Sequence, residues 1–133
     1  MSPHLLFVCT GNTCRSPLAE ALAQERAVSA ESAGVAAQTG DGPAPYVAHV
    51  LRTARGCSLS DHEPRDVEAL DLSVFDNIVA MAPSVAQRLR TEHDVPSERL
   101  TTWSIPDPYG GSLADYRYCL EQIDAALTRL LSE

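Results

Sequence analysis

Cys9, Arg15 and Ser16 are the residues whose types and spacing first suggest chemistry. They frame the segment Cys9-Thr10-Gly11-Asn12-Thr13-Cys14-Arg15-Ser16, a C-x5-R-S pattern that directly follows a short apolar run. A loop leading from a strand into a helix can aim successive backbone N–H groups inward as an anion nest. The helix terminus adds about half a positive charge at the same place. Arg15 supplies a planar fork of donors matched to two phosphoryl oxygens. These positive features favour the thiolate of Cys9, and Ser16 can donate a hydrogen bond to it. The result is a nucleophile beneath a preformed tetrahedral oxyanion site, which displacement at phosphorus requires. Gly11 is not followed by Gly-Lys-Ser/Thr, so this is not a nucleoside-triphosphate loop. A purely structural reading competes. Cysteine at a buried strand end is commonly a small hydrophobe, and Arg15 with Ser16 can be a solvated helix start. The strand–loop–helix setting favours the functional reading.

A second loop supplies an acid. A phosphoryl leaving group must be protonated as it departs, so a carboxyl is needed nearby. Asp107 lies between Pro106 and Pro108, which stiffen the backbone and hold the side chain in place. Alone, Asp-Pro is an ordinary turn; beside the cysteine loop it becomes the candidate acid.

Both loops need a scaffold that brings them together. The runs 4–9 and 77–81 are short, apolar and unalternating, as in buried parallel strands. Residues 28–33, ended by Gly34, and the weaker 100–103 are further strands. Pro17 is placed at the first position of a helix over 18–26. Helices are also expected over 45–55, stopped by Gly56, over 83–90, and from a Ser112 cap to about Leu131. The last carries an apolar stripe at Leu113, Tyr116, Leu120, Ile123, Leu127, Leu130 and Leu131. A short helix is expected within 65–72. Loops are expected over Gly40–Pro45 and Ser104–Gly111. Strands alternating with helices give an α/β fold, a parallel sheet covered on both faces. Ligands of such sheets bind beyond the carboxyl ends of the strands, where both candidate loops fall.

The 133 residues suit one domain, 1–133, with enough length to bury a core. Ten Lys and Arg against eighteen Asp and Glu give a net charge of −8, which argues against nucleic acid or an anionic membrane as partner. No apolar run reaches the roughly 18–20 residues of a membrane span, and no signal-peptide pattern precedes Leu5–Val8, so a cytoplasmic location is expected. Cysteines stand at 9, 14, 57 and 119. No second close Cys/His pair completes a zinc site with Cys9 and Cys14; Cys57 and Cys119 are read as packing residues.

The motifs taken together resemble the low-molecular-weight protein tyrosine phosphatase family. The resemblance rests on Val8 to Pro17 with Ala19-Glu20, on Ser32-Ala33-Gly34, on Ser60 and His62 before Arg65, on Ala80-Met81, and on Asp107-Pro108-Tyr109. It implies a three-layer α/β/α fold with a four-stranded parallel sheet, no metal or cofactor, and a phosphocysteine intermediate. By position, Cys9 resembles the nucleophile, Arg15 the phosphate clamp, Ser16 the thiolate's partner and Asp107 the acid that later serves as base. Thr10, Gly11, Asn12, Thr13, Cys14 and Tyr109 fall at substrate-binding positions. Asn12, Ser32 and His62 resemble the set that braces the loop. Cys14 resembles a second loop cysteine able to trap Cys9 reversibly as a disulfide. The implied partners are phosphorylated proteins or peptides, with inorganic phosphate or a similar oxyanion in the loop.

Thr10 bears on which phosphorylated side chain is used. Many family members carry an aliphatic residue there. The stretches 9–16 and 107–112 more closely resemble the protein arginine phosphatase branch. A polar Thr10 accommodates a guanidinium that a branched aliphatic would crowd and desolvate; otherwise Thr10 merely bonds the loop backbone. Phosphoarginine is the favoured substrate and strict phosphotyrosine hydrolysis the alternative. Tyr109 is read as an aromatic wall beside a flat substrate group, or as a residue packed across its loop. Arsenate reduction on the same fold is disfavoured, because no resolving cysteine follows Met81.

Overall fold

The computed structural model describes residues 3–37, 44–57 and 62–132. Its elements run β1 (His4–Cys9), α1 (Arg15–Glu25), β2 (Ser29–Gly34), α2 (Pro45–Arg55), β3 (Asn77–Ala80), α3 (Pro83–His93), β4 (Leu100–Thr102) and α4 (Leu113–Leu131). The strands form one parallel sheet in the order β2-β1-β3-β4. This is the α/β architecture expected from the alternation of elements. Among the described residues no helix is long and apolar enough to cross a membrane.

The unalternating β1 sequence follows from its central place. Leu5, Phe7 and Cys9 face a cluster built with Leu18 and Leu22 of α1, Val47 and Leu51 of α2, and Ile123 and Leu127 of α4. Leu6 and Val8 face the other way, onto Ile78, Ala80, Phe75 and the α3 residues Val85 and Leu89. Both faces are therefore apolar. Burying one such side chain contributes about 1.5–3 kcal/mol. The α4 stripe packs as expected, with Tyr116, Leu120, Ile123 and Leu127 buried and Cys119 and Ala126 added beside them.

The chain leaves β1 through α1 to β2, then crosses to the opposite side of β1 for β3. The two halves diverge at the carboxyl end of β1, where ligands of open parallel sheets bind. Pairing also continues past β4. Trp103 N–H donates to the Ala80 carbonyl at 2.8 Å, and Ile105 N–H to that of Met81 at 2.9 Å. These two bonds carry the chain past the carboxyl end of β3 just before Asp107.

Several boundaries differ from the expectation. Helix α1 begins at Arg15, so Pro17 is its third residue, not its first. First-turn amides have no intrahelical acceptor, and proline there costs no hydrogen bond. Arg15 and Ser16 thereby belong to the helix rather than to the loop. Strand β2 starts at Ser29 and includes Gly34. The expected helix within 65–72 is two 3₁₀ turns, Val67–Ala69 and Leu72–Val74, each started by an aspartate cap, Asp66 and Asp71. Helix α3 runs on to His93. Helix α2 spans Pro45–Arg55 as expected, with Pro45 in its first turn; residues 40–43 of the loop before it lie outside the described residues. Gly56 ends α2 with φ 69°, and Ser112 opens α4 with a capping box to Asp115.

Candidate active site

The loop after β1 is shaped by the fate of its carbonyls. Those of Cys9 and Thr10 accept the Val35 and Ala36 amides at 3.0 and 2.9 Å; those of Thr13 and Cys14 accept the Ala44 and Leu18 amides at 2.9 and 3.2 Å. The Asn12 carbonyl meets His62 Nε2 at 2.8 Å, and since a carbonyl can only accept, Nε2 carries the proton. With these carbonyls tied to the surrounding protein, the Asn12 N–H is turned towards Cys9 Sγ at 3.3 Å. The amides of Gly11, Thr13, Cys14 and Arg15 have no acceptor among the described residues. Helix α1 adds to this. Its N-cap Cys14 makes no side-chain capping bond and its first turn holds no acid, whereas α4 is fully capped. The positive end of α1 thus stays available to an anion.

Asn12 is the pivot of the loop. It is fully buried and sits at φ 58°, a left-handed conformation that asparagine tolerates better than most residues. Its Nδ2 donates to Ser16 Oγ at 2.9 Å and to Ser32 Oγ at 3.0 Å. Its Oδ1 accepts the Arg65 amide at 3.0 Å. Arg65 is itself anchored, donating to the Ser32 carbonyl and to Glu31. Gly34 completes the support. A Cβ there would collide with the Thr10 carbonyl and stand 3.1 Å from the Asn12 nitrogen, so only glycine lets β2 approach the loop this closely.

Cys9 is 3 % exposed at the end of β1. Its Sγ lies 2.8 Å from Ser16 Oγ and accepts the Asn12 N–H at 3.3 Å. Arg15, 7 % exposed, donates from Nη1 to the Ile105 carbonyl at 3.0 Å, and its Nη2 stands 3.8 Å from Asp107 Oδ2. The acid loop therefore reaches the cysteine loop through Arg15. Asp107 accepts the Tyr109 amide on Oδ1 at 3.0 Å, an Asx turn, and its side chain is half exposed. The site thus combines a buried thiol, loop amides without acceptors among the described residues, a buried guanidinium fork and a half-exposed carboxyl. That set can take a phosphoryl group onto sulfur and protonate what leaves.

The other candidates are placed as follows. Thr10 is exposed. Tyr109 is 74 % exposed, which overturns the reading that packs it across its loop. Cys14 is buried and its thiol is free; Sγ lies 3.6 Å from the Tyr116 hydroxyl. Burial pushes the Cys14 thiol up from its ordinary value, and burial then the Cys14 contact raise the Tyr116 phenol. Cys119 is buried, and desolvation pushes its thiol up to about 12. Cys57 is only partly buried and donates to Glu25 at 3.2 Å. Ser60 lies outside the described residues.

Glu20, Gly34, Arg65 and Tyr116 were assigned no site role from sequence. Glu20 accepts a hydrogen bond from Ser32 Oγ. The available signal for it was an acid spaced four residues after Ser16, on the side of α1 that meets the loop. Arg65 acts mainly through its backbone, and Tyr116 sits in an apolar stripe, so neither announces itself by residue type.

The fold and this site define a cysteine-dependent phosphatase, a hydrolase. The sequence profile of the low molecular weight phosphotyrosine protein phosphatase family matches residues 4–133, and the chain belongs to that family. It is 35 % identical to a low molecular weight protein-tyrosine-phosphatase of Streptomyces coelicolor, over 99 % of this chain and 93 % of that one. It is 33 % identical to a protein-arginine-phosphatase of Geobacillus stearothermophilus, over 98 % and 95 %. The crystal structure of a low molecular weight protein tyrosine phosphatase from T. tengcongensis superposes with a TM-score of 0.91 at 31 % identity, covering 98 % of this chain and 99 % of that one.

Proposed function

We propose that residues 1–133 form one phosphoprotein phosphatase domain that hydrolyses phosphoarginine in preference to phosphotyrosine, through a phosphocysteine intermediate. The Cys9 thiolate attacks phosphorus, forming the S–P bond as the P–N bond to the guanidinium, or the P–O bond to tyrosine, breaks. Asp107 gives its proton to the departing nitrogen or oxygen. Arg15 and the loop amides hold the three equatorial oxygens, whose charge they match in the transition state. Water then attacks the phosphocysteine, Asp107 takes its proton, and the S–P bond breaks to return the thiolate and release inorganic phosphate. Ser16 stabilises the thiolate as it leaves.

The observation that carries the preference is Thr10, polar, exposed and next in the chain to Cys9. A threonine there tolerates a guanidinium whose N–H groups an aliphatic residue would leave unpaired. The similarity to an arginine phosphatase supports the same reading. The exposed Tyr109 ring suits either a guanidinium or an aromatic substrate, and strict phosphotyrosine hydrolysis is the second reading. The test compares kcat/KM on phosphoarginine, phosphotyrosine and phosphoserine peptides for wild type and Thr10→Ile. The wild type should favour phosphoarginine, and Thr10→Ile should shift the ratio towards phosphotyrosine by about tenfold or more. An unchanged ratio defeats the role of Thr10.

A further inference from the structure

We infer that Glu20, on α1 behind the loop, is a positioning residue that sets which way Ser16 points its proton. The inference rests on the phosphatase reading of Cys9. The donor directions in its chain of contacts follow from groups that can only donate. The Arg65 amide can only donate, so the Asn12 side chain must present Oδ1 to it. Nδ2 therefore faces the two serines, and its two hydrogens go to Ser16 Oγ and Ser32 Oγ. Each serine keeps one hydrogen of its own to place. That of Ser32 goes to the Glu20 carboxylate. That of Ser16 has two acceptors in reach, Cys9 Sγ at 2.8 Å and the Ala33 carbonyl at 3.4 Å.

The choice at Ser16 matters for chemistry. Donation to sulfur stabilises the thiolate, both as nucleophile and as leaving group; donation to Ala33 leaves it without that bond. Glu20 biases the choice from two residues away. Holding the Ser32 hydrogen outward keeps the Ser32 lone pairs turned to Asn12, which keeps the Asn12 amide seated against Ser16. Without an acceptor at position 20 the Ser32 hydroxyl is free to turn its hydrogen towards Asn12 Nδ2. Two donors then face each other, Asn12 moves off, and Ser16 is released to the Ala33 carbonyl. Buried polar chains of this kind are sensitive to a single missing partner.

The outer end of the chain is open to solvent. Glu20 lines a cavity of about 360 Å³ with Ser32, His62, Glu63, Pro64 and Arg65, and Gln24 donates to its second oxygen at 3.3 Å. The titratable neighbours of Glu20 are thus His62, Glu63 and Arg65. Those of Cys9 include Arg15, Asp107, Cys14 and Cys119, which share its surroundings.

The test measures Cys9 alkylation by iodoacetate across pH, with the modified residue located by peptide fragmentation. It needs no phosphorylated substrate, so it can fail while the phosphatase reading stands, or succeed while that reading falls. Glu20→Leu should move the alkylation profile to higher pH, slowing reaction on its acid limb by about tenfold, the equivalent of one pH unit, and converging with wild type in alkali. Glu20→Gln retains an acceptor for Ser32 and should restore the wild-type profile. Ser32→Ala should reproduce the shift, and Glu20→Leu in that background should add nothing. An unshifted profile in folded Glu20→Leu or in Ser32→Ala overturns the inference, as does a further shift in the double variant. A Glu20→Gln profile matching Glu20→Leu also overturns it, because the carboxylate's charge would then be acting in place of the hydrogen bond.

Discussion

Arg15 donates from Nη1 to the Ile105 carbonyl at 3.0 Å, so one buried side chain joins the cysteine loop to the loop that carries the acid. The bond fixes one edge of the guanidinium and leaves its other donors for an anion. Lysine keeps the charge but has no planar fork to span both loops. Arg15→Lys should lower kcat/KM by about 10²–10³-fold, the scale of losing one oriented donor to a developing oxyanion. Steady-state kinetics on any accepted phosphopeptide gives the answer. A loss under threefold would mean that charge alone suffices and the Ile105 anchor is idle.

Asp107 combines a half-exposed carboxyl with a backbone held by Pro106, Pro108 and the bond from Tyr109. Its accessibility suits a group that must reach leaving groups of different shapes and then a water molecule. Asp107→Asn keeps the Asx turn but cannot give or take the proton. Turnover of substrates with poor leaving groups should fall by about 10²–10⁴-fold. An activated aryl phosphate, whose leaving group needs little protonation, should suffer far less in its first step. Equal losses on both substrate types would remove Asp107 from the acid role.

Gly34 is explained by contact rather than by its backbone angles. Gly34→Ala would drive a Cβ into the Thr10 carbonyl and against Ala37. Overpacking of this kind costs about 1–3 kcal/mol, a Tm lower by roughly 4–12 °C for a domain of this size. Because the displaced atoms belong to the anion loop, kcat/KM should fall as well. Gly56→Ala is the control. It faces open space at φ 69°, so it should lower Tm through left-handed strain alone and leave kinetics unchanged. Wild-type kinetics in Gly34→Ala would show that the loop tolerates the push.

How much of this was legible in the sequence depends on what each residue contributes. Cys9, Arg15, Ser16 and Asp107 stand out because their side-chain chemistries occur together in a recognisable spacing, and the structure joins them in pairs, Cys9 to Ser16 and Arg15 to Asp107. The strands and the α4 stripe were legible because burial imposes its own period. Pro17 does not mark the start of α1, since proline fits any first-turn position and marks none of them uniquely. Arg65 and Gly34 act through a backbone amide and a missing Cβ, which depend on a partner more than twenty residues away. The exposure of Tyr109 was open for a similar reason: an aromatic residue fits a rim or a core equally well until the loop is placed.

Cys119 gives the alkaline limit of stability a specific origin. Burial against α1 and the loop raises its thiol from an ordinary 9.0 to about 12, and Cys14 and Tyr116 beside it are raised for the same first cause. Each is an acid held neutral in the folded chain and freed to ionise on unfolding. Between its unfolded and folded values the folded state binds more protons, so stability falls as pH rises. The contribution of Cys119 is complete below about pH 9 and is lost as pH climbs towards 12. Tm should therefore decline from pH 8 to pH 11. Cys119→Ala loses some packing at every pH, but its decline should be shallower, with Cys14 and Tyr116 supplying the remainder. Thermal melts of both proteins over that range decide the matter: parallel curves would show that Cys119 does not titrate on unfolding.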